Sequence, residues 1–135
     1  MDAYTTVVLY AAWTILIAFV YVLPRVPQAL IGAKRIDNWE RGKEPNDPPF
    51  LQRAKGAHLN CLENLPVFAA VVAMAGLMGK VELINGIAAF VLYARVAQSL
   101  VHISGTSFIQ IFLRATFFLV QLGITLYMVY LLVCA

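Results

Sequence analysis

The chain has 135 residues, of which 61% are hydrophobic and 13% charged, with a net charge of +3 and a mean hydropathy of +0.79. A soluble domain of this size needs far more charge to cover its surface, so the composition excludes one and points to lipid as the solvent. The length suits a single unit, 1–135, without an internal repeat or a low-complexity segment.

Residues 3–24 carry no charge. Crossing a bilayer takes roughly 20 apolar residues, so a first membrane helix is expected at about 4–23, closed by Pro24 and Pro27. It does not read as a signal peptide, because "MDAYTT" offers no basic leader.

Residues 25 to 55 hold seven of the ten Lys and Arg residues, with Asp37, Glu40, Glu44 and Asp47 among them. Such a cluster beside a membrane span is first an orientation signal rather than a nucleic-acid patch, and no nucleic-acid partner is expected. It predicts a cytoplasmic 25–55 loop and places both termini on the opposite side. "EPNDPPF" has turn chemistry. Asp47 is the expected cap of the next helix, with Pro48 at its first position.

The second helix is expected at about 48–79. Its 32 positions would span about 48 Å, more than the roughly 30 Å hydrocarbon core. The stretch "RAKGAHLNCLENLP" (53–66) identifies the amino-terminal end as the projecting one. Pro66 should kink the helix. Lys80, Glu82 and Asn85 make a polar turn. A third helix is expected at about 83–104, "SGTS" at 104–107 makes a second turn, and a fourth helix follows at about 108–133. The fold class is an all-α four-helix membrane bundle. Cys61 and Cys134 fall near opposite faces, so no disulfide is expected between them.

This topology gathers polar residues from three segments in one leaflet. Positions seven apart on a helix differ by only about 20°. Arg53 and Asn60 therefore share a face, with Glu63 close to it. Arg95 and His102 share another, with Gln98 and Ser99 between them. Arg114 and Gln121 share a third. Polar stripes in lipid face other helices or a watery cavity. His58 lies about 160° from Asn60 and serves a different contact, such as helix 1, a headgroup or a neighbouring subunit. Lys55 reads best as an interfacial residue that snorkels.

Arg95 and Arg114 ask for anions, since an arginine inside an apolar span costs about 2.5–3.5 kcal/mol. Glu63 either pairs with Arg95 inside the bundle or holds the ammonium of a ligand. A short acidic peptide supplies both charge types. No metal site is expected. Ionisable groups confined to one leaflet form no path across the membrane, which argues against a channel or transporter.

The segment "RAKGAHLNCLENLPVFAAVV" resembles the helix-2 signature of the MAPEG family, the membrane-associated proteins in eicosanoid and glutathione metabolism. The core Ala57, Asn60 and Glu63 stands between Arg53 and Pro66. "ARVAQSLVH" (94–102) is similar to the third helix of that family. The chain departs from the pattern at Gly56, where the enzymes often carry a second arginine, and at Gln98 and His102, where they usually present tyrosines.

The resemblance, to bacterial-type members similar to microsomal glutathione transferases, implies a homotrimer of four-helix bundles in contact with membrane lipids. Glutathione, the implied thiol co-substrate, would sit between adjacent subunits on Arg53, Asn60, Glu63, Arg95 and His102. Arg114 would stabilise its thiolate. The implied function is a glutathione-dependent transferase or peroxidase acting on small lipophilic electrophiles. The alternative is a non-catalytic structural or lipid-binding subunit of a larger membrane complex.

Overall fold

A computed structural model describes residues 1–32 and 48–135. The loop expected across most of the charge cluster, and Asp47 as a cap, lie outside the described residues. Among the described residues five α-helices occur in order: α1 Ala3–Val22, α2 Arg25–Leu30, α3 Pro49–Leu77, α4 Asn85–Ser104 and α5 Phe108–Cys134. A short 3-10 turn, Val81–Leu83, connects α3 to α4. No strand occurs among the described residues.

Among the described residues four stretches are long and apolar enough to cross a membrane: Ala3–Leu30, Pro49–Leu77, Asn85–Ser104 and Phe108–Cys134. The chain is an integral, multi-pass membrane protein. At 29 residues, α3 spans about 44 Å and outreaches a hydrocarbon core of roughly 30 Å. It runs through Pro66 as one helix.

Boundaries differ from expectation by one or two residues, and each difference has a local cause. Pro48 stands before the helix in extended backbone, and Pro49 takes the first turn, where a missing N–H is harmless. After Pro24 the chain re-enters a helix as α2 instead of passing into loop. Pro27 sits at the third position of that helix, again within the first turn. α3 ends two residues early because Gly79 takes φ +68. Lys80 N–H then donates to Ala75 O at 2.8 Å and Gly79 N–H to Gly76 O at 3.1 Å, closing a Schellman motif.

The caps are local chemistry. Ser107 accepts from Gln110 N–H while the Gln110 side chain accepts from Ser107 N–H, a capping box that starts α5. Asp2 starts α1 by accepting from Thr5 N–H at 2.7 Å. That bond holds the exposed Asp2 carboxyl below its usual value of 3.8. A lowered folded pKa adds stability above the unfolded value, and the benefit is lost as pH falls through the folded value. The melting difference between wild type and Asp2→Ala in detergent should therefore be full at pH 7 and shrink below about pH 4. A difference that stays constant to pH 2 contradicts this account.

α3 and α4 form the centre of the bundle, with α1 packed mainly along α3 and α5 mainly along α4. Ala57, Cys61, Ala75 and Ala88 lie in the buried cluster with Tyr10, Phe68, Val91 and Met128. Small residues let membrane helices approach closely. Two contacts tie the ends together at one face. Ala3 N–H donates to Asn85 Oδ1 at 2.9 Å. Lys80 Nζ donates to Leu132 O at 3.2 Å and Ala135 O at 2.7 Å, placing a cation on the carbonyl end of α5. The start of α1, the 80–85 turn and the end of α5 therefore share one end of the bundle. The start of α3 and the α4–α5 turn share the other.

Candidate functional site

At that second end, α3, α4 and α5 enclose a groove of about 250 Å³ lined by Asn60, Glu63, Gln98, Ile111, Arg114, Ala115 and Phe118. Three of the site residues expected from sequence, Asn60, Glu63 and Arg114, meet here. Asn60 and Glu63 project from one turn of α3, as three-residue spacing requires. Arg114 projects from α5 two turns beyond its capping box, and its neighbours Ile111, Ala115 and Phe118 make an apolar wall. Glu63 is exposed, while Asn60 and Arg114 are half-buried.

Arg53 does not line the groove. Its Nε donates to Ile103 O at 2.8 Å, one of the last carbonyls of α4, which lack partners within that helix. His102 contacts the groove through Asn60: its Nδ1 lies 3.4 Å from Asn60 Nδ2. Its ring also lies against Gly56, where a Cβ would come within 3.0 Å of Cε1 and 3.1 Å of Nε2. His58 faces away and bonds Tyr21 of α1 at 2.8 Å, which selects helix 1 from the contacts left open for it. Lys55 is half-buried.

Arg95 points inward and is absent from the groove lining. It is 0% exposed, and its Cζ stands 5.9 Å from the centre of the Tyr10 ring. Its Nε and Nη2 have no hydrogen-bond partner. The structural ion pair with Glu63 does not form: no acid among the described residues comes within ion-pair distance of Arg95. Arg114 likewise has no acidic partner among them. This end of the bundle thus holds cationic charge in a low-dielectric setting, which favours an anion.

Sequence reasoning missed how the buried polar residues connect. Gln121 Nε2 donates to Gln98 Oε1 at 2.7 Å, so Gln121 turns inward from Arg114 and supports the groove wall from behind. Trp13 Nε1 donates to Ser99 Oγ at 3.1 Å, and Cys61 Sγ lies 3.7 Å from the same oxygen. The Tyr10 hydroxyl and Gln121 Oε1 are unpartnered. Tyr10 and Gln121 border a cavity of about 20 Å³, room for one water. The available signal was the helical spacing of Tyr10, Trp13 and Thr14, polar-tipped side chains in the middle of α1.

Both cysteines are free, and Cys61 is fully buried, so neither offers an accessible thiol in the groove. Among the described residues no three His, Cys, Asp or Glu side chains gather as a metal site. The groove carries instead one carboxylate, Glu63, one guanidinium, Arg114, and the two amides of Asn60 and Gln98.

No curated protein and no solved structure matches the chain. One family model does match, over residues 3–134 and so over nearly the whole sequence: the protein belongs to the MAPEG family.

Proposed function

We propose that the protein is a membrane-embedded glutathione-dependent transferase or peroxidase acting on lipophilic electrophiles. The observation that carries this reading is the groove where Glu63, Asn60, Gln98 and Arg114 meet beside an apolar wall. Family membership supports the same chemistry.

The residues fit glutathione by charge. Glu63 suits its ammonium, Asn60 and Gln98 suit its amides, and Arg114 suits an anion. Glutathione would supply a thiolate that either forms a carbon–sulfur bond as the electrophile's leaving group departs with the bonding electrons, or attacks the O–O bond of a hydroperoxide, releasing the alcohol and leaving an oxidised sulfur that a second glutathione converts to the disulfide and water. Arg114 favours that thiolate over the thiol, because a cation nearby stabilises the charged form. The thiol proton leaves to water. Ile111, Ala115 and Phe118 face the electrophile, which reaches the groove from the bilayer. Arg95, fully buried and without an acid, adds to the field from behind the groove. Arg53 braces the end of α4.

The groove opens sideways on a membrane-spanning surface. Exposed Glu63 is costly to leave against lipid, and a second copy of the chain covering it removes that cost. This supports a homotrimer with the site between adjacent subunits. The described basic residues Arg25, Arg53 and Lys55 lie at the groove end, which by the positive-inside rule supports a cytoplasmic placement of that end.

Calorimetry on detergent-solubilised protein tests the reading. Glutathione should bind, and Glu63→Gln should weaken binding about tenfold or more by removing the partner of the ammonium. No heat from the wild type at millimolar glutathione ends this reading.

A further inference from the structure

Gly56 and His102 are 46 positions apart in the sequence and adjacent in the fold. A Cβ at 56 would lie 3.0 and 3.1 Å from the imidazole, closer than the usual carbon contact of about 3.5–4.0 Å. A Cβ there would push the ring back by a few tenths of an ångström. The ring's other edge reaches Asn60, with Nδ1 at 3.4 Å from Nδ2. Residues 56 and 60 are one turn apart on α3, so the ring bridges that turn.

Chemistry fixes the direction of the contact. The Asn60 Nδ2 group is only a donor. Nδ1 of His102 therefore accepts, and in the neutral ring the proton sits on Nε2. The asparagine then keeps Oδ1 free to accept. The α4 backbone beside the ring is held. Arg53 pins Ile103, the next residue, through its carbonyl at 2.8 Å. Ser99, one turn earlier on α4, lies 3.7 Å from Cys61 Sγ. Asn60 itself lines the groove.

We propose that His102 is a positioning residue, seated over Gly56, that holds the Asn60 amide by Nδ2 and presents Oδ1 to an N–H of the ligand. This rests on the thiol-peptide reading of the groove. Gly56 decides where the imidazole stands. A methyl group there displaces the ring and stretches a hydrogen bond that is already at the long end of its range. Two of the three departures from the family pattern, at 56 and 102, thus become a single device.

The test combines glutathione titration of the full-length, detergent-solubilised protein with nitrogen NMR of the His102 ring. Gly56→Ala and His102→Leu should each weaken glutathione binding about fivefold, the worth of one neutral hydrogen bond. His102→Asn keeps an acceptor near the place of Nδ1 and should retain affinity. Adding Gly56→Ala to His102→Leu should cause no further loss, because the ring it displaces is already gone. The wild-type ring should show an Nε2–H tautomer, with an Nδ1 shift that changes in Asn60→Ala.

An equal Gly56→Ala loss with and without His102 overturns the proposal. So does a His102→Leu affinity equal to that of wild type, or an Nδ1 shift indifferent to Asn60→Ala. A wild type that binds no glutathione overturns the functional reading instead. The Nδ1 shift then still decides whether His102 holds Asn60.

Discussion

Arg114→Ala should lower thiol-transfer kcat by about 10²–10³-fold, the usual effect of removing one group that stabilises a developing or resident anion. Arg114 is half-buried beside the apolar residues Ile111, Ala115 and Phe118, so its charge acts where water screens poorly. No acid among the described residues neutralises it. The ionisation of bound thiol should move with it. In the wild type the guanidinium favours the thiolate, so the bound thiol ionises below the ordinary thiol value of about 8.5; without it, ionisation returns towards that value. A pH titration of the ultraviolet thiolate absorbance reads this directly. Arg114→Lys keeps the charge and loses the planar fork, so it should recover part of the rate. Helix α5 begins at its own capping box, and the substitution leaves that intact, so the melting temperature should change little. Activity within twofold of wild type removes Arg114 from the chemistry.

How much of this was legible in the sequence depended on the range of the interaction. A charge-free run located the first membrane helix, because the hydrocarbon core imposes a length that composition alone must meet. Helical phase separated His58 from Asn60, and the structure turns His58 to Tyr21. Phase also grouped Asn60 with Glu63, which share the groove. It failed within α4. Arg95 and His102 are nearly in phase, yet one is sealed against Tyr10 and the other reaches Asn60. A long side chain goes where its neighbours leave room, and those neighbours come from other helices. α2 was missed because two prolines read as a stop, although a proline in a first turn is compatible with a restart. Gly56 had no visible reason in the sequence. In the fold it lies against the imidazole of His102, brought there by tertiary packing.

Arg95→Met should move stability and binding in opposite directions. Arg95 is 0% exposed, with Nε and Nη2 unpartnered, and no acid among the described residues offsets its charge. An arginine at the centre of a membrane helix costs about 2.5–3.5 kcal/mol. Its placement 5.9 Å from the Tyr10 ring centre returns at most about 2 kcal/mol as cation–π attraction. Methionine is shorter and carries no charge, and its flexible chain fills irregular space beside an aromatic ring. The substitution should therefore raise stability by about 1 kcal/mol, read as a higher melting temperature in detergent. Glutathione should meanwhile bind about tenfold more weakly, because the field that draws its anionic groups has lost a unit charge in a low-dielectric setting. Such a pairing fits a site that keeps a destabilising charge for its ligand. Arg95→Lys separates charge from shape. It should preserve more of the binding than methionine does and gain none of the stability. A methionine variant that melts lower than wild type would mean that the guanidinium holds the bundle together, and the assignment of Arg95 to the ligand field would fall with it.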